Sequence, residues 1–164
     1  MMSFLERIHV ETNPPINSIA FVIPITGSLR NPGIIVAERL GEIGRGRLTF
    51  PGGGVEIGER PKRGAIRESW EEAGFRFRES DLMPAQRNPS AERWGLCFHN
   101  VYMYYAFVDR RRMRPQRRES KLGEWQIFSL PQIVDAVRDM RLPRFVLNGW
   151  WYQMLQDTRY DKLS

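Results

Sequence analysis

Glu68, Glu71 and Glu72 stand at i, i+3 and i+4, a spacing that puts all three carboxylates on one side of a helix. Like charges so placed repel, and Arg67, four residues before Glu71, offsets only part of that repulsion. A hard cation with oxygen ligands offsets the rest. Mg²⁺ takes few protein ligands and keeps several waters, so carboxylates in this number suit more than one ion. The alternative is a solvated acidic face. The run Pro51, Gly52, Gly53, Gly54 just upstream favours a ligand, because glycine lets backbone groups approach one closely. Gly53 and Gly54 are therefore candidate substrate contacts.

The helix that must carry these glutamates is legible in its punctuation. Pro61 suits a first helical position, where its missing N–H is unpaired anyway. Only Gly64 interrupts the run to Ala73, and Gly74 suits the left-handed position past the end. Ile66, Trp70 and Ala73 fall at i, i+4 and i+7 and form the expected packing stripe.

The stretch 53–75, GGVEIGERPKRGAIRESWEEAGF, resembles the signature of the Nudix hydrolases, G-x5-E-x7-R-E-U-x-E-E-x-G-U, where U is a bulky aliphatic residue. Gly53, Glu59, Arg67, Glu68, Glu71, Glu72 and Gly74 match, and Phe75 fills the last place loosely. Seven fixed positions at roughly one chance in fifteen each give about one in 10^8 per starting point, so the match is a signal. Ser69 departs from the pattern. It lies between Ala65 and Ala73 at helical spacing, where a small residue fits a close contact.

The resemblance implies a fold and a chemistry. The fold is α/β (α+β), a mixed sheet sandwiched between helices, spanning 1–164 as a single domain. The chemistry is metal-dependent hydrolysis of a nucleoside diphosphate joined to another group, in the manner of MutT-like members. Glu68, Glu71, Glu72 and the backbone carbonyl of Gly52 would hold Mg²⁺ or Mn²⁺. Glu59 and Arg67 would pair and hold the loop against the helix. The general base would be Glu68 or Glu124, since GEW at 123–125 resembles a segment that supplies a further carboxylate; Glu124 would then also be a ligand. Otherwise Glu124 is an exposed strand residue. Arg39 ends a strand near where the family often places a phosphate-binding arginine, with a plain surface arginine as the alternative. Pro89 lies about where ADP-ribose-cleaving members carry a proline. Relatives are often dimers, so a homodimer is among the expectations.

The chain has 164 residues with 41% hydrophobic residues, enough for one real core. No apolar run approaches a membrane span, and the first residues carry no leader-like core. The lone cysteine, Cys97, excludes an internal disulfide, reads as a buried structural thiol, and fits a reducing cytoplasm. His9 and His99 are too few and too separated for a zinc site. The formal charge of +6 is concentrated: residues 109–121 hold seven basic residues against two acidic ones, a net +5. A nucleic-acid binder basic over its whole surface would look different. This loop, with Arg110, Arg111, Arg112, Arg114, Arg117 and Arg118, is either an RNA or polyphosphate grip or a disordered hairpin tip.

Taken in order, residues 1–16 read as an N-terminal arm or short edge strand. Residues 18–26 read as a strand, with Pro24 suggesting an edge or a bulge. Strands at 34–39 and 48–50 follow, then the glycine loop and the helix. Phe75 and Phe77 alternate with Arg76 and Arg78 like a strand start, and 81–93 reads as loop. Residues 100–108 form the clearest later strand, and 124–128 another. Ser129 opens a helix to about Met140, with Ile133, Val134, Val137 and Met140 as its apolar stripe. A last helix spans about 144–157, its aromatics read as core. Two function classes fit: a nucleotide diphosphatase, including an RNA 5′-end form, or a non-catalytic nucleotide-sensing or RNA-binding module on the same fold. The intact set of Glu59, Arg67, Glu68, Glu71 and Glu72 favours the enzyme.

Overall fold

The computed structural model describes residues 18–28, 31–85, 90–94, 97–143 and 146. The arm over 1–16, His9, Pro89, the 144–157 helix and the side chain of Cys97 lie outside the described residues.

Period-two alternation builds the centre. Strand β1 (Ser18–Ser28) sends Ile23 and Ile25 into one buried cluster and Ala20 and Val22 into another, as successive side chains of a strand must. Strand β2 (Asn31–Glu38) and strand β7 (Cys97–Phe107) do the same, with Ile34 and Val36 opposite Ile35, and Met103 and Tyr105 opposite Tyr104 and Ala106. Two apolar faces need two covers. Helix α1 (Pro61–Ala73) contributes Ala65 and Ala73 to one cluster. Helix α2 (Leu130–Arg138) contributes Ile133, Ala136 and Val137 to the other. The result is the mixed sheet between helices that the sequence led us to expect.

The path through the sheet runs β3 (Leu48–Thr49), β2, β1, β7, β5 (Met83–Pro84). Strand β4 (Gly52–Gly54) pairs with β1, β6 (Ser90–Trp94) with β7, and β8 (Gln126–Ser129) with β2. The β1–β7 pair is parallel and the others are antiparallel.

Several expectations change. Pro24 is on a central strand, not an edge. It falls between the β4 partners at Ile19, Ala20 and Phe21 and the β2 partners that begin at Ile25, an interval where a missing N–H is tolerated. Phe75 and Phe77 are buried with Arg76 exposed, yet no strand forms there. Residues 81–93 are not all loop, since β5 and β6 cross them. Helix α2 ends at Arg138, so Met140 lies beyond it at φ 57 and is exposed, and Val134 is exposed too. Its start is as read: Ser129 and Gln132 form a capping box.

Candidate active site

Helix α1 has the bounds its punctuation implies, and Gly74 closes it at φ 72. Its buried face differs from the expected stripe. Ala65, Ser69, Glu72 and Ala73 face inward, while Trp70 is exposed. Small residues win that face because the helix lies close on β1 and β4. Ser69 is fully buried, and its hydroxyl donates to the Ala65 carbonyl at 2.7 Å. A carboxylate therefore sits on the packed side.

One guanidinium organises the other three. Arg67 Nε and Nη2 donate to the two oxygens of Glu59, both at 3.1 Å. Its Nη1 donates to Glu68 at 2.8 Å and to Glu71 at 3.1 Å. Nη2 also reaches the Gly54 carbonyl at 2.9 Å. Glu59 further accepts the Glu56 N–H at 2.9 Å. Arginine's planar fork makes such multiple recognition possible. Hydrogen bonding from Arg67 lowers the Glu59 pKa and outweighs its partial burial.

Strand β4 supplies the other wall. A Cβ on Gly53 would lie 2.7 Å from the Glu68 carboxyl carbon, and one on Gly52 would lie 2.4 Å from the Ala20 carbonyl oxygen. Backbone thus requires glycine at Gly52, while a side chain at Gly53 would push the Glu68 carboxylate aside. The Gly52 N–H donates to Glu72 Oε2 at 3.0 Å. Glu72 is 5% exposed, and burial pushes its pKa up to about 7 despite that hydrogen bond, with Glu119 and Glu68 adding to the rise. Burial also raises Glu68, against the opposing pull of Arg67.

The loop of residues 109–121 packs on the end of α1. The Gln116 N–H donates to the Ala73 carbonyl at 2.9 Å, and Arg118 Nη1 donates to the Trp70 carbonyl at 3.2 Å. The Arg118 guanidinium stacks 4.1 Å from the Trp70 ring centre, with Arg76 at 4.6 Å. The loop therefore caps the end of α1 and carries Glu119 and Lys121 to Glu72. Lys121 Nζ lies 2.8 Å from Glu119 and 3.8 Å from Glu72 Oε1. Trp125 Nε1 also reaches the Glu72 carbonyl at 3.4 Å.

Sequence reading named most of this constellation. Glu59, Arg67, Glu68, Glu71, Glu72, Gly52, Gly53 and Gly54 come together. It missed Glu119 and Lys121, whose only signal was membership of a charged loop. Glu124 is exposed, and among the described residues no side-chain hydrogen bond or ion pair engages it. Arg39 donates from Nε to the Ile43 carbonyl at 3.2 Å, bracing the 41–47 turn.

Among the described residues, no three acidic, histidine or cysteine side chains converge as a ligand set. Arg67 and Lys121 explain why: each carboxylate leans toward the nearest cation. The donor set still fits a hard divalent cation. Glu72 is buried with one backbone N–H and a distant ammonium to offset its charge, which leaves its ionised form under-compensated.

The NUDIX domain family model matches residues 17–147. The chain belongs to the NUDIX domain family. It is 31% identical over 98 residues to a "MutT-like protein" of Streptomyces ambofaciens, covering 60% of each chain. It is 38% identical over 68 residues to an "RNA pyrophosphohydrolase" of Psychrobacter cryohalolentis, covering 38% of this chain and 39% of that one. The matches thus span 60% and 39% of those relatives, less than two thirds of each. Among solved structures, the NUDIX domain of Shewanella oneidensis NrtR complexed with ADP ribose superposes with a TM-score of 0.61 at 12% identity, over 99% of this chain and 100% of that one. At that identity the likeness speaks for the Nudix fold alone. No helix among the described residues is long and apolar enough to cross a membrane.

Proposed function

We propose that this Nudix chain is a divalent-metal-dependent hydrolase of a nucleoside diphosphate linked to another moiety. The observation that carries this reading is the Arg67 fork on Glu59, Glu68 and Glu71, set beside a buried Glu72 that accepts the Gly52 N–H. Glu68, Glu71 and Glu72, with the backbone of Gly52, would hold Mg²⁺ or Mn²⁺. Bound there, the cation would offset phosphate charge and acidify a water.

The chain's own residues do the positioning. Arg67 fixes the helix carboxylates against the β4 turn, and Glu59 fixes Arg67. The side-chain-free edge of Gly53 and Gly54 lets a diphosphate approach. Glu68, with a pKa raised by burial, is the first candidate to accept the proton of the attacking water. Glu124 is the second, and would have to swing inward from its exposed position. An oxygen–phosphorus bond forms to water and the bridging bond breaks, giving a nucleoside monophosphate and a second phosphate-bearing fragment. Arg39 would grip a phosphate by leaving the Ile43 carbonyl.

A substrate panel with Mg²⁺ and, separately, Mn²⁺ tests this reading. It should contain nucleoside triphosphates and their oxidised forms, ADP-ribose, dinucleoside polyphosphates, nucleotide sugars and 5′-triphosphate RNA, with products identified. Turnover that is lost in Glu71→Gln while nucleotide binding persists supports the enzyme. Absent turnover in a folded parent that still binds metal supports a sensing module instead.

A second reading, RNA 5′-end hydrolysis, draws on the RNA pyrophosphohydrolase relative and on Arg110 and Arg114. Both are exposed and make no hydrogen bond or ion pair among the described residues. Replacing both by alanine should then flatten the salt dependence of RNA turnover. An unchanged slope counts against RNA.

A further inference from the structure

We infer that Lys121 is a tethered cation of the carboxylate cluster that a divalent metal must displace, so that the 109–121 loop sets the metal affinity of the chain. This rests on the metal-dependent reading above. Glu72 Oε2 is taken by the Gly52 N–H, which leaves Oε1 as the oxygen open to a cation, and Lys121 Nζ faces that oxygen at 3.8 Å. Its other partner, Glu119 Oε2 at 2.8 Å, comes from the same loop and travels with it.

The backbone that carries the ammonium is tied down on several sides. The N–H groups of Leu40 and Gly41 both donate to the Lys121 carbonyl, at 2.7 and 3.3 Å. Leu122 beside it is buried and bridges to Arg39. Gln116 and Arg118 dock the preceding segment on the end of α1. These three attachments fix the backbone around Lys121 and leave its side chain to turn.

An ammonium and a divalent ion at one carboxylate oxygen oppose each other, because like charges a few ångströms apart repel, the more so where water is scarce. The Lys121 side chain is 54% exposed, so it can swing into solvent once the ion arrives. The pair therefore compensates Glu72 when metal is scarce and opposes metal entry. A purely structural lysine would make the opposite mark: removing it would loosen the loop and weaken metal binding.

The test is direct Mn²⁺ titration of the full chain, followed by the paramagnetic resonance of free Mn²⁺. Lys121→Met should bind Mn²⁺ about threefold tighter or more than the parent, given the usual strength of a half-exposed ion pair. Lys121→Arg, which keeps the charge, should stay within about twofold of the parent. Arg114→Met, which removes a charge from the same loop away from this contact, should leave the affinity unchanged and exclude a general charge effect. Equal or weaker binding by Lys121→Met, with a parent that binds, overturns the inference and leaves the metal-dependent reading intact. A folded parent that binds no Mn²⁺ overturns both.

Discussion

Replacing Glu72 by glutamine isolates the charge that the fold buries. The side chain keeps an oxygen to accept the Gly52 N–H, and only the ionisation is lost. In the native chain the Glu72 pKa rises from 4.5 to about 7, chiefly through burial. A carboxyl with a raised folded pKa holds its proton more tightly in the folded state than in the unfolded one. Stability from this group therefore falls as pH rises from about 4.5 to about 7 and is flat above that. A shift of that size corresponds to up to about 3 kcal/mol at 1.36 kcal/mol per unit. In a chain of this length, that is roughly 6–12 °C in melting temperature. Without divalent metal, Glu72→Gln should match the parent near pH 4, below both pKa values, and exceed it by up to that amount at pH 8. Urea denaturation at steps across this range, in a chelator, reads the difference directly, and subtraction removes the other titrating groups. Saturating Mg²⁺ should close the gap, because it stabilises the state that binds it. Equal stability of the two proteins at pH 8 without metal would refute the reasoning: Glu72 would then be fully compensated as it stands, and its burial would not call for a cation.

Three further outcomes follow from the same geometry. Gly53→Ala should keep the fold, because its Cβ meets the mobile end of Glu68, but should lower hydrolysis at least about tenfold by displacing that carboxylate; Gly52→Ala, whose Cβ meets β1 backbone, should instead unfold the protein several degrees earlier. Arg67→Ala should destabilise by on the order of 2 kcal/mol, since it leaves Glu59, Glu68 and Glu71 without their shared donor, and Arg67→Lys should recover little because an ammonium cannot reproduce the fork; paired thermal melts check both. Arg118→Ala should speed proteolysis within residues 109–121 while leaving the melting temperature nearly unchanged, as the guanidinium holds the loop on Trp70 and the end of α1 rather than filling the core.

How far the sequence speaks depends on the range of the interaction. The bounds of α1 follow from Pro61 and Gly74, which act on their own backbone dihedrals, and they are found as read. The grouping of Glu68, Glu71 and Glu72 needs only helical spacing. Which side of that helix packs is another matter. Trp70 is the largest apolar side chain in the segment, and periodicity assigns it inward; the structure puts Ser69 and Glu72 inward instead. The neighbour decides this. A sheet edge made of glycines lets the helix come too close for an indole, and the indole is covered from outside by two arginines. Pro24 went astray for a similar reason, since its tolerance depends on where two different partner strands stop.

The basic loop marks the limit of this kind of reading. Its charge count is visible in sequence, and a cluster of arginines invites a phosphate or RNA partner. Yet most of those charges have partners within the fold. Arg111 and Arg112 pair with Asp109, Arg117 donates to the Leu122 carbonyl, and Arg118 and Lys121 reach α1. Their partners include backbone carbonyls and a ring tens of residues away, and neither leaves a trace in local composition. What reads as a surface for a negative ligand is for the most part a strap, and its far end places a lysine against the one buried carboxylate of the cluster. A loop counted as positive then acts on the site through the position of a single ammonium.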